Sequence, residues 1–307
     1  MTSIKKLEGD LKIDESTLPT QGMPLLTRIW YISQKFTNFI WRYRKNPLYL
    51  FTYLYFIARG SYKEHAHFMS DDEFIQAAKT RSTLRLQDGE FTLLLGTRDV
   101  SDEQKNPKLT AMWKEAISLY TDTSPYILGL PPYILIDNKT LHTHAFKYLW
   151  MPAKILYRLL FPKNPQYFNG SYFYIDDTTI PFMQVLSSKK NILLVSNKNV
   201  IAATKPHETY FFAEAQSVSY VETPDKNAFA QYEKIMQSIE SLVTPDTVVF
   251  MACGASGKAM IYDLAKKGIR AHDIGNGLIG AYTGEKREHF LKWDIFGPLY
   301  DTARAQK

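Results

Sequence analysis

Thr247-Val248-Val249-Phe250-Met251-Ala252-Cys253-Gly254-Ala255-Ser256-Gly257-Lys258 decides the fold. Five β-branched or large apolar residues run without interruption, as in a strand buried on both faces. Small residues then make a turn. A helical stretch from Lys258 to Lys267 closes at Gly268, and Ile269–Ile274 returns as a second apolar strand before Gly275. This strand–turn–helix–strand unit is the repeating element of a parallel sheet.

Working outward, Asn191–Val195 and Val218–Val221 are two more buried strands. A helix from Asn227 carries Phe229, Tyr232, Ile235, Ile239 and Leu242 on one face. Upstream, Ser70-Asp71-Asp72-Glu73 is a capped helix start. Leu84–Glu90 gives a strand running into a loop, Asp102–Tyr120 a helix, and Tyr126–Leu130 a strand ended by Pro131-Pro132. Leu141–Leu160 gives a helix that Pro152 can break, and Tyr172–Ile175 a short strand or an extended edge. The expected fold is α/β: a Rossmann-like, mostly parallel sheet flanked by helices, with an N-terminal helical extension.

Three segments are expected. Residues 1–22 are a polar tail and residues 23–69 an aromatic, basic helical arm. Residues 70–307 form the catalytic or binding domain. In the arm, Leu25, Ile29, Trp30, Phe36 and Phe39 recur at helical spacing among Arg28, Arg42, Arg44 and Lys45. Residues 23–58 suit either peripheral contact with an anionic membrane or packing on protein. The tail has no apolar core of a secretory signal. A cytoplasmic protein is expected, peripheral on the inner face of the membrane if the arm meets lipid rather than protein.

The 307 residues suffice for one large or two modest domains, and 45% hydrophobic with 22% charged residues is globular composition. A net charge of +6 suits anionic small molecules or a phospholipid surface and does not require nucleic acid, which is not expected as a partner. Cys253 is the single cysteine, which excludes an intrachain disulfide and a cysteine-built zinc site. The histidines show no His-Glu-x-x-His spacing, and Ser256 lies in no nucleophile elbow.

Two stretches carry candidate chemistry. In Thr83–Phe91, Asp88 and Glu90 flank Gly89. On a continued strand both carboxylates share a face, where a hard cation such as Mn²⁺ or Mg²⁺ neutralises them and bridges to phosphate; a solvated Asp-Gly turn is the alternative. In Gly254–Lys258, amides at a helix start, with Ser256, Gly257 and Lys258, can cradle an anion; a tight packing turn is the alternative. This is not a P-loop, because Ala252 and Ala259 replace its first glycine and its metal-binding hydroxyl. Asp88, Asn197, Pro224-Asp225, Gly254 and Asp273 all end apolar strands, so they are expected on one rim.

Arg85-Leu86-Gln87-Asp88-Gly89-Glu90-Phe91 resembles the Arg-Phe-Gly-Asp-Gly-Glu signature of the GT-D-type glycosyltransferases, formerly domain of unknown function 1792. Val248–Gly275, with Tyr262-Asp263-Leu264 and Asp273-Ile274-Gly275, resembles that family's closing unit. Pro224, Asn227 and Phe229 match its Pro-x-x-Asn-x-Phe segment. The likeness spans roughly residues 71–285 and departs at Gln87, where glycine is usual, and at Asn276, where histidine is common.

The resemblance implies transfer of a sugar from a nucleotide-diphosphate donor, a UDP-sugar foremost, to a hydroxyl of a glycan, glycolipid or glycoprotein acceptor in bacterial glycan synthesis. It implies Mn²⁺ or Mg²⁺ on Asp88 and Glu90, with these two and Asp273 catalytic. Arg85, Asn197, Asn227, Gly254, Ser256, Gly257 and Lys258 are expected to hold the donor. Asp176, Asp177, Glu214 and Asp273 are candidates for the base at the acceptor. The competing expectation is a non-catalytic nucleotide- or polyphosphate-binding module in a membrane-associated assembly.

Overall fold

The computed structural model describes residues 64–275, apart from 97–98, 101–102, 136–137, 139–146 and 175, together with residues 51, 54, 55, 58 and 59. The tail, most of the arm, His142, His144, Asn276 and everything beyond lie outside the described residues. Among those described, no helix is long and apolar enough to cross a membrane.

The elements run β1 (His67–Phe68), α1 (Asp71–Ala78), β2 (Ser82–Arg85), α2 (Asp88–Leu94), α3 (Pro107–Ser118), β3 (Tyr126–Leu130), α4 (Lys147–Leu160), β4 (Gln166–Asn169), α5 (Asp176–Ser187), β5 (Asn191–Asn197), α6 (Lys198–Thr204), α7 (Glu208–Phe211), β6 (Ser217–Thr223), α8 (Tyr232–Leu242), β7 (Thr247–Ala252), α9 (Gly254–Lys266) and β8 (Ala271–Asp273). The strands form one sheet in the order β1-β4-β3-β2-β8-β7-β5-β6. Every pairing in it is parallel. All strand exits therefore fall on one edge.

The two-residue period of the buried strands divides the core. Leu193, Val195, Val249 and Met251 face a layer built from α2, α3, α4, α8 and α9. Ile192, Leu194, Val248 and Phe250 face α1, α5, α6 and α7. Connections leave β5 toward β6 and β7 toward β8, in opposite directions across the sheet. A parallel sheet opens a ligand crevice at such a switch. Here it lies between Asn197 and the Ala252–Gly254 turn.

Three sequence expectations are corrected. α4 runs through Pro152 without a break. Tyr172–Tyr174 is a turn of 3₁₀ helix, not a strand. The rings of Tyr172 and Phe173 pack into an aromatic cluster with Phe74, Phe168 and Phe182, and that tertiary contact overrides the strand propensity of an aromatic run. The strand at Leu84 ends at Arg85, and Asp88 already begins α2.

His272 on β8 is fully buried between the rings of Phe182 and Phe250, with Nδ1 3.3 Å from Thr83 Oγ1. Burial, aided by Arg270, pulls its pKa down to about 3. The unfolded chain binds a proton near pH 6.5, where the folded chain does not. Stability should therefore be constant in this group above pH 6.5. It should fall between pH 6.5 and 3 by up to about 1.4 kcal/mol per pH unit. Urea unfolding at pH 7 and 4.5 checks this against His272→Leu, which should lose that share of the acid sensitivity. Equal pH slopes in both proteins would refute it.

Candidate functional site

The site grows from the exits of neighbouring strands. β2 ends at Arg85 and, through Leu86-Gln87, enters α2. Asp88 and Glu90 occupy the first turn of that helix, where carboxylates favour the dipole. A helix turns about 100° per residue, so two residues apart they diverge. Asp88 is exposed and Glu90 is buried. The two carboxylates do not share a face, as they would on a continued strand, and meet different surroundings.

Glu90 turns inward to a buried ionic quartet. Its Oε2 accepts from the Gln87 amide at 2.8 Å, and its Oε1 lies 3.2 Å from Lys258 Nζ. Lys258 Nζ also lies 3.3 Å from Asp273 Oδ2 and donates to the Gly254 carbonyl at 2.9 Å. Arg85 Nε reaches Asp273 Oδ2 at 3.4 Å, and Asp273 Oδ1 accepts from the Gly275 amide at 2.9 Å. The four side chains are at most 5% exposed. Two carboxylates balance two cations, as such burial demands. Burial alone would pull the Lys258 ammonium down, but Asp273 and Glu90 outweigh it and hold its pKa above the usual lysine range.

Gly275 closes the quartet. It has φ +50°, and a Cβ there would lie 1.8 Å from Arg85 Nη2. A left-handed residue without a side chain is what lets β8 end against the guanidinium.

The small-residue segment is the first turn of α9 rather than a free loop. Gly254 opens it with φ +60°. Ser256 is fully buried and donates to the carboxylate of Glu103, which also accepts from the Phe229 amide at 3.3 Å. A Cβ on Gly257 would lie 2.9 Å from Cys253 Sγ, so that turn is packed on its own cap. Lys258 points into the core beneath the turn.

Asn197 ends β5 and caps α6, its Oδ1 accepting from the Val200 amide at 2.9 Å. Asn227 is left-handed at φ 53°, and its Oδ1 accepts from the Gln104 amide at 3.0 Å. Arg85, Glu90, Lys258 and Asp273 thus meet directly. Gly254 joins them through its carbonyl, whereas Asp88, Asn197, Asn227 and Ser256 line the same edge apart from the four. Glu214 does not belong there: it lies in the turn entering β6, at the opposite edge, and accepts from Ser188 Oγ. Asp176 and Asp177 begin α5, and their side chains lie outside the described residues.

Sequence reasoning missed Glu103. It sits in a polar connection without any motif, and its partners are 126 and 153 residues away in the chain.

The family of the glycosyltransferase GT-D fold matches residues 83–283, more than half of the chain and all of this edge. A probable glycosyl transferase of Streptococcus gordonii is 25% identical over 214 residues, which are 64% of this chain; the chain spans only 30% of that relative's length. A glycosyltransferase from Streptococcus sanguinis superposes with a TM-score of 0.58 at 21% identity, over 72% of this chain and 86% of the other. A domain of unknown function 1792, described as having a distinct glycosyltransferase fold, gives 0.58 at 20% identity, over 71% and 82%. The structural likenesses establish the shared fold, and the match across residues 83–283 places this chain among the glycosyltransferases of the GT-D fold.

Proposed function

We propose that the chain moves a sugar from a nucleotide-diphosphate donor, a UDP-sugar foremost, to a hydroxyl of a bacterial glycan or glycoprotein acceptor. The observation that carries this reading is the closed quartet Arg85–Asp273–Lys258–Glu90. It locks the starts of α2 and α9 beside each other at the carboxyl edge, leaving Asp88 outward on one and placing the first turn of the other at the same edge. Departure of a nucleoside diphosphate develops negative charge on oxygen, and pre-placed amides and cations stabilise that charge without reorganising.

The donor set fits Mn²⁺ or Mg²⁺ in a restricted way. Among the described residues, no three His, Cys, Asp or Glu side chains gather to hold an ion. Glu90 is committed to Lys258 and the Gln87 amide. Mg²⁺ is commonly held by one or two carboxylates with substrate phosphates and water. Asp88 fits that role, and such an ion would neutralise the leaving diphosphate. Glu90 acts by fixing Lys258 and the turn before Asp88. Asp273 has both oxygens occupied and serves the same frame.

The test is a panel of nucleotide sugars, with and without a chelator, read as release of nucleoside diphosphate. Release that requires one donor supports the reading. Tight donor binding with no turnover on any acceptor class would replace it by the binding-module alternative.

A further inference from the structure

We propose that Glu103 is an internal competitor for the donor's diphosphate, seated at the start of α9 until the diphosphate displaces it. This rests on the reading of that turn as the donor site.

Glu103 is 4% exposed. It takes the Ser256 hydroxyl, three residues into α9, and the Phe229 amide, 3.3 Å away. A hydroxyl and an amide beside a helix start are the donors that a phosphate oxygen would use. The backbone on either side fixes the carboxylate there. The Glu103 carbonyl accepts from the Val100 amide at 3.0 Å, and the Gln104 amide donates to Asn227 Oδ1 at 3.0 Å. Val100 in turn reaches the first turn of α2, its Cγ1 3.9 Å from where a Cβ on Gly89 would stand. Glu103 is therefore carried between the two motifs that the donor must contact.

Two anions cannot share one set of donors, because like charges at contact repel and each loses its hydrogen bonds. Seating the diphosphate requires the Glu103 side chain to give up Ser256 and the Phe229 amide. The contact has two consequences. The empty site is kept hydrogen-bonded, and weak anions are rejected because they cannot repay the exchange.

The experiment titrates UDP, uridine and inorganic pyrophosphate calorimetrically into wild-type protein, Glu103→Gln and Glu103→Ala. Glu103→Gln keeps the shape and an accepting oxygen and removes the charge, so it should fold. The expected result is roughly tenfold or greater tightening for UDP and pyrophosphate in both variants, a change of 1.4 kcal/mol, with uridine unchanged. Unaltered or weaker UDP and pyrophosphate binding in folded Glu103→Gln would overturn the assignment of Glu103 alone. Failure of all three proteins to bind UDP and pyrophosphate would overturn it together with the donor-site reading.

Discussion

Lys258→Met should lower the free energy of unfolding by about 3–5 kcal/mol, because it strands two buried carboxylates beside a single guanidinium. For a domain of this size that is on the order of 10 °C in melting temperature. The larger part of the loss is not the missing attraction. It is the cost of Glu90 and Asp273 remaining charged at 5% exposure or less with half their counter-charge gone. Glu90→Gln should lose a similar amount from the opposite side. The double variant Glu90→Gln, Lys258→Met restores the balance of Arg85 against Asp273, so it should be more stable than the sum of the single losses implies. Urea unfolding of the four proteins makes a double-mutant cycle. Additive losses, or single losses below about 1 kcal/mol, would show that the four charges are not coupled.

Asp88→Asn should do the reverse. The side chain is exposed, so stability should stay within about 0.5 kcal/mol of wild type. Donor turnover should fall by about 10²-fold or more, the usual scale for loss of one group that stabilises a leaving charge. Glu90→Gln should lower turnover and stability together. The comparison separates two acids that the motif presents as equivalent. Wild-type turnover in Asp88→Asn would remove Asp88 from the mechanism.

The parallel sheet and its exit edge were legible because β3, β5 and β7 are largely apolar runs with a proline, polar or small-residue exit, and that pattern needs no partner to be recognised. The start of α2 was written in the same residues that suggested a metal pair. Carboxylates at the first and third helical positions are a helix-start signal, and reading them on a strand put them on one face. Gln166–Asn169 escaped notice because four residues with polar ends carry no period. Glu103 and the inward course of Lys258 depend on contacts across more than a hundred residues, and local sequence shows a charge but not its counterpart. The arm of residues 23–58 is legible as aromatic and basic, and Phe51, Leu54 and Tyr55 are helical and exposed.

Gln87 and Gly170 carry a lesson about inheritance. Gln87, where the resembling signature has glycine, is 5% exposed, and its Nε2 would lie 2.5 Å from a Cβ built on Gly170. The bulk admitted at one position is accommodated by bareness at the other. The two sites are therefore coupled: a side chain at 170 must displace the Gln87 amide, while glycine at 87 would leave only the Leu130 backbone, 3.2 Å away, against it. A pattern that scores the signature glycine alone will pass over chains that made the opposite choice.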